Sequence, residues 1–120
     1  MLERTAGVSL TLNGAPARLA ASPLERLSHA LREQCGLIGV KVGCDAGDCG
    51  ACTVLIDGKP ACACLTAVGQ VEGRVVETIE GLSASEDIVA RLRRAFHVHG
   101  AAQCGICTPA MLLAATALLR

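Results

Sequence analysis

The sequence predicts an α+β chain: a small mixed sheet with one helix laid across it, followed by a helical second half. Three observations predict it. Short alternating apolar runs end in Asn13-Gly14 and Asp57-Gly58, dipeptides that favour tight hairpin turns. Apolar residues at helical spacing dominate after Gly81. Between the two hairpins, from Gly36 to Cys52, periodicity disappears and glycine is dense, at Gly36, Gly39, Gly43, Gly47 and Gly50.

Val8 to Leu12 alternates as a strand, and Ala15 to Ala20 returns after the Asn13-Gly14 turn. Ser22-Pro23-Leu24-Glu25 then reads as a helix start, with Ser22 as N-cap, Pro23 at the first helical position and Glu25 closing a capping box. Leu24, Leu27 and Leu31 share one face of that helix, and Gly36 stops it. After the glycine-dense loop, Thr53 to Ile56 is a strand, Lys59 to Leu65 crosses back, and Arg74 to Thr78 is a further strand. Ser83-Ala84-Ser85-Glu86 is a second capping box, opening a helix striped by Ile88, Val89, Leu92 and Phe96. Gly100 interrupts, and Thr108 (N-cap) with Pro109 (N1) begins a last helix through Met111, Leu112, Ala115 and Leu119. The change of character near Glu80 to Ser83 divides the chain into residues 1–80 and 81–120.

Composition narrows the function. Of the 120 residues 52% are hydrophobic, yet Phe96 is the only aromatic, so a cofactor or a partner is expected to add cohesion. The chain carries 11 basic and 11 acidic residues, with no basic stripe and no stacking aromatics, which argues against nucleic acid. The N-terminal stretch lacks an apolar signal core, and the strongest apolar run, Ala110 to Leu119, is too short to span a bilayer, so no membrane insertion is expected. Eight cysteines without a secretion signal, six of them in short spacings, read as metal ligands in a reducing cytoplasm rather than as disulfides.

Cys44-Asp-Ala-Gly-Asp-Cys49-Gly-Ala-Cys52 is C-x4-C-x2-C, the spacing of plant-type [2Fe–2S] ferredoxins. Two sulfide-bridged irons need four thiolates; a short loop supplies three and a nearby strand the fourth. The small residues between them let backbone N–H groups turn toward the sulfurs and stabilise the negative cluster. For the fourth ligand Cys62 and Cys64 compete, and spacing alone does not separate them. A cysteine outside the set, Cys35 included, reads as a small buried hydrophobe. Zinc is disfavoured: the pairs Cys49/Cys52 and Cys104/Cys107 lie much further apart than the roughly 15–20 residues of a zinc ribbon.

With Gln103-Cys104-Gly105-Ile106-Cys107-Thr108-Pro109 the chain resembles the small iron–sulfur subunits of the xanthine oxidase family of molybdenum hydroxylases. Gly43 to Val54 (GCDAGDCGACTV), Asp57-Gly58 with Cys64-Leu65, Thr78 to Leu82 (TIEGL) and QCGICTP occur in that family's order. The resemblance implies a plant-ferredoxin-like β-grasp domain followed by a helical-bundle [2Fe–2S] domain. It implies Cys44, Cys49, Cys52 and Cys64 as ligands of the first cluster, choosing Cys64 because the family's fourth cysteine stands twelve positions after the third. Cys104 and Cys107 match two ligands of the second cluster, and Gln103 matches a position that touches the molybdopterin cofactor of a partner. The family completes the second cluster with a later C-x-C, and none follows Cys107 here, so the helical domain is incomplete as it stands. A longer protein, ligands from another chain, and a one-cluster protein are the three explanations. Ala110 departs from the glycine common in the family.

The implied role is electron transfer within an oxidoreductase, from a large molybdopterin-binding subunit toward an FAD-binding subunit or another acceptor, in a hetero-oligomer. No substrate chemistry is expected on this chain. The alternative is a stand-alone ferredoxin-type shuttle, against which the helical half with QCGICTP argues. His97 and His99 read as residues complementing a helix C-terminus, and Asp45 and Asp48 as solvated loop carboxylates.

Overall fold

The computed structural model describes residues 7–82 and 87–120. Val8–Leu12 (β1) and Ala15–Leu19 (β2) form the first hairpin, Val8 opposite Leu19 and Leu12 opposite Ala15. Asn13 and Gly14 both take positive φ, +50° and +84°, the turn geometry whose twist matches that of the flanking strands.

The first helix (α1) is Leu27–Glu33, not a helix from Ser22. Ser22 closes a turn instead: its Oγ accepts from the Leu24 N–H at 3.2 Å and its carbonyl from the Glu25 N–H at 3.0 Å. The backbone of 23–27 is committed elsewhere. The Pro23 and Glu25 carbonyls accept from the N–H groups of Gly69 (2.8 Å) and Val68 (2.9 Å), and Leu27 N–H donates to the Thr66 carbonyl (2.8 Å). Arg26 sits opposite Ala67 in an antiparallel bridge. Groups bonded sideways to a neighbouring stretch are not free for a helical turn. Leu24 is accordingly 87% exposed, whereas Leu27 and Leu31 are fully buried.

Thr53–Ile56 (β3) and Lys59–Cys62 (β4) make the second hairpin, and Val75–Glu77 (β5) lies between β1 and β3. The five-stranded sheet has the order β2-β1-β5-β3-β4, with β5 parallel to β1 and every other pairing antiparallel. A parallel neighbour demands a crossover, and the connection from β1 to β5 contains α1, the cysteine loop and the second hairpin.

Both faces of the sheet are covered, and β3 shows how. Successive side chains of a strand point to opposite faces. Val54 joins Val8, Leu10, Val76 and the buried face of α1, Leu27, Ala30 and Leu31. Leu55, equally buried, joins Leu82, Val89 and Leu113 on the other side. These three come from Ile79–Leu82 (α2), Asp87–Val98 (α3) and Thr108–Leu119 (α4). Burying each such leucine contributes about 1.5–3 kcal/mol. The molecule is therefore α+β, a mixed sheet flanked by helices.

The capping box at residues 83–86 lies outside the described residues. In α3, Val89 is buried and Ile88, Leu92 and Phe96 are half-buried, so the expected stripe faces inward. Cys107, not Thr108, stands at the cap position of α4: the Met111 N–H already bonds to the Cys107 carbonyl at 3.0 Å. This helix also has a partner within the chain, through Ala110, Leu112, Leu113 and Thr116, while Met111, Leu118 and Leu119 remain exposed. Among the described residues no helix is long and apolar enough to cross a membrane.

Candidate metal centre

The loop between α1 and β3 has no regular hydrogen-bond ladder, so its shape depends on side chains that reach it. Arg32 of α1 donates to the carbonyls of Ile38 (3.2 Å) and Val40 (2.8 Å). Arg26 donates to the Asp45 carbonyl at 2.6 Å and pairs with the Asp45 carboxylate at 2.7 Å. At the far end the Thr53 hydroxyl and N–H both bond to the Gly50 carbonyl, at 2.6 and 3.1 Å, turning the chain from the loop into β3.

The loop's amides then point at sulfur. Cys44 Sγ accepts from the N–H groups of Ala46 (3.3 Å), Asp48 (3.2 Å) and Cys49 (3.2 Å). Cys49 Sγ accepts from Ala51 (3.4 Å), and Cys64 Sγ from Gly47 (3.3 Å). The N–H groups of Cys49, Ala46 and Asp48 pull the Cys44 thiol down to about 7, because each donor favours the anionic form. Burial, with the Cys52 sulfur beside it, pushes the Cys64 thiol up.

The second hairpin brings the distant cysteine home. Thr53 pairs with Cys62, and one step further the Ala63 N–H meets the Cys52 carbonyl at 3.3 Å. The chain then enters a single 3-10 turn, Ala63–Leu65, whose Cys64 N–H donates to Cys52 Sγ at 3.3 Å. Cys52 and Cys64 are both buried, at 3% exposure. Cys62 and Cys35 are half-buried and pack on the apolar core beneath α1.

Among the described residues no three His, Cys, Asp or Glu side chains close on one point as a single ion requires. The sulfurs lie in two pairs instead: Cys44 with Cys49 at the surface, and Cys52 with Cys64 inside. Pairs joined through one loop suit a two-metal group rather than a lone zinc. No disulfide joins any two of the eight cysteines.

Cys104 and Cys107 stand on the turn before α4, both exposed, with Gln103 exposed beside them. No third ligand-type side chain joins this pair among the described residues, so the residues present do not form a complete second site. Asp48, His97 and His99 are exposed, the histidines at the end of α3. Arg26 and its hold on Asp45 went unseen in the sequence, since Arg26 belongs to no motif.

Known proteins fit this geometry. Residues 13–97 match the family described as "2Fe-2S iron-sulfur cluster binding domain" and residues 78–120 that described as "[2Fe-2S] binding domain". The chain is 44% identical to the xanthine dehydrogenase iron-sulfur-binding subunit of Escherichia coli O157:H7, over 96% of this chain and 71% of that one. The chain belongs to the small [2Fe–2S] subunits of the xanthine oxidase family.

A second member, the nicotinate dehydrogenase small FeS subunit of Eubacterium barkeri, is 43% identical over 93% of this chain and 71% of its own. The solved quinoline 2-oxidoreductase from Pseudomonas putida 86 superposes with a TM-score of 0.84 at 46% identity, over 93% of this chain and 68% of that chain. Against the aldehyde oxidoreductase of Megalodesulfovibrio gigas the same region is 44% identical but spans only 12% of a much longer protein. As a member of this family the chain is an electron-transfer iron–sulfur component of an oxidoreductase.

Proposed function

We propose that this chain relays electrons, one at a time, from a molybdopterin centre in a large partner subunit toward FAD in another subunit or toward another acceptor. In this reading the division at residues 1–80 and 81–120 separates a plant-ferredoxin-like β-grasp domain that carries the first [2Fe–2S] cluster from part of a helical domain carrying a second. The observation that carries it is the sulfur arrangement: four cysteines in two pairs, with loop N–H groups aimed at Cys44, Cys49 and Cys64.

When bound, the cluster supplies one-electron oxidation and reduction. The chain's residues supply the rest. Cys44 and Cys49 would hold one iron and Cys52 and Cys64 the other. Amide donors stabilise the negative charge, and their number and burial tune the potential. The inner pair excludes water, while the exposed Cys44 and Cys49 edge offers the short path by which an electron leaves. Cys104 and Cys107 are proposed as two ligands of the second cluster, with Gln103 toward the molybdopterin partner. Eight cysteines with no disulfide between them suit a reducing cytoplasm.

Iron and acid-labile sulfide analysis with EPR of the reduced protein tests the first part. About two irons and two sulfides for each [2Fe–2S] cluster, with a rhombic spectrum, are expected; a colourless protein without iron sinks it. Affinity purification from the source cell tests the second. A stoichiometric large molybdopterin-containing partner is expected, and a chain recovered alone favours the shuttle.

A further inference from the structure

A chain of hydrogen bonds runs from the first hairpin turn to the cysteine loop, and none of it touches a cysteine. Asn13 Oδ1 accepts from the Thr78 N–H at 2.8 Å, and Asn13 Nδ2 donates to Thr78 Oγ1 at 2.9 Å. The Thr78 hydroxyl then donates to Glu80 Oε1 at 2.9 Å, and Glu80 Oε2 accepts from the Gly39 N–H at 2.7 Å. Thr78 is fully buried, so its hydroxyl must be satisfied within the protein, and these partners take it as both donor and acceptor.

The far end of this chain matters most. Gly39 lies between Ile38 and Val40, whose carbonyls Arg32 holds. One basic side chain thus grips the carbonyls of the segment and one acidic side chain grips its N–H, just before the loop leaves for Cys44. A Cβ at position 39 would lie 2.4 Å from Ile79 Cγ2 and 2.9 Å from both Glu80 oxygens, so only glycine lets the loop approach α2 this closely. Glu80 stands on α2, whose Leu82 packs with Leu113 of α4. The carboxylate therefore ties the loop to the sheet, through Thr78, and to the helical side at once.

We propose that Glu80 is a positioning residue of the first cluster, clamping the entry of the Cys44 loop through the Gly39 N–H while Thr78 and Asn13 orient its carboxylate. This rests on the reading of Cys44, Cys49, Cys52 and Cys64 as cluster ligands. A carboxylate accepts from both donors at once. Glutamine offers one acceptor oxygen, and its NH2 would face either the Gly39 N–H or a hydroxyl already accepting from Asn13. Alanine removes both bonds.

The test compares Glu80→Ala, Glu80→Gln and Thr78→Val with the unaltered holo-protein, and with Leu112→Ala, a buried α4 residue outside the cluster that holds Leu82 and Ile79, as a destabilised control. Release of iron to a chelator should quicken by about tenfold in Glu80→Ala, the scale on which outer-shell partners act on metal sites. Glu80→Gln and Thr78→Val should fall between it and the unaltered protein. The EPR and visible circular dichroism of the reduced cluster and its midpoint potential should shift in the same order, and Leu112→Ala should shift neither the spectra nor the potential. Spectra and potential unchanged in both Glu80 variants, with only the melting temperature lowered, overturn the proposal. If Glu80→Ala does not fold, Glu80→Gln decides by the same readouts. An unaltered protein without iron would sink the cluster reading instead, so the two failures are distinguishable.

Discussion

The Gly47 N–H donates to Cys64 Sγ at 3.3 Å, so the loop after α1 and the turn after β4 close on each other around a sulfur. Gly47 takes φ +75°, and a Cβ there would lie 2.1 Å from Leu65 Cδ1 and 2.7 Å from Leu65 Cγ. Leu65, 65% exposed, lies over the loop from the residue next to Cys64. The glycine supplies the backbone angle and the space, and the amide it presents meets the one proposed ligand that comes from outside the loop.

Gly47→Ala should therefore cost about 1–2 kcal/mol from the left-handed backbone alone, besides forcing Leu65 aside. Iron per chain should fall relative to the unaltered protein, measured on samples reconstituted side by side. Equal iron content and equal melting temperature would show that the loop relaxes freely.

Cys64→Ser and Cys62→Ser should behave oppositely although the two residues are neighbours but one. Cys64→Ser should lose or strongly alter the EPR signal of the reduced first cluster. Cys62→Ser should keep it, with a loss of stability of about 1 kcal/mol from its half-buried place on the core. EPR and denaturant titration of the pair check this, and a surviving spectrum in Cys64→Ser would remove it from the ligand set.

Leu113→Ala should loosen the helical side from the sheet. Leu113 is 1% exposed among Leu55, Leu82 and Val89, and truncating such a leucine costs about 2–5 kcal/mol. The iron content of the first cluster should stay unchanged, since Cys52 and Cys64 pack with Val54 and the α1 face on the opposite side of the sheet. Hydrogen exchange should show α3 and α4 opening first.

Asp57 gives a pH dependence of known sign. The Val75 N–H (3.0 Å), then Arg74 (2.9 Å), hold its carboxyl below the ordinary range. A folded-state pKa below the unfolded value of about 3.9 adds stability that is complete above that value and is lost as pH falls through the folded one. Asp57→Asn should remove this contribution. Its denaturation midpoint should lie below that of the unaltered chain at neutral pH, and the gap should close under acid conditions. A gap independent of pH would assign the effect to the turn and not to the charge.

Much of this protein was legible along the chain because its signals are local. A turn at Asn13-Gly14 or Asp57-Gly58 needs only adjacent residues that accept positive φ. The spacing of Cys44, Cys49 and Cys52 suits the size of the cluster they are proposed to hold. The stripe on α3 and the strand pairs follow from periodicity. Failures came where a distant segment competed for the same backbone. Ser22 to Glu25 carries every mark of a helix start, but Thr66 to Gly69 takes its hydrogen bonds first.

The sequence by itself determined the α+β class, the three loop cysteines and the family to which the chain belongs. The family resemblance already pointed to Cys64 over Cys62, and tertiary structure supplied the contact: the register of β3 on β4 places Cys64 against Cys52 and leaves Cys62 on the core. It also decided the hold of Arg26 on Asp45 and of Glu80 on Gly39, contacts that join residues far apart in the chain. The physical reason is the same in each case. A hydrogen bond between distant segments depends on where the sheet and helices have already brought the backbone, and no local spacing records that.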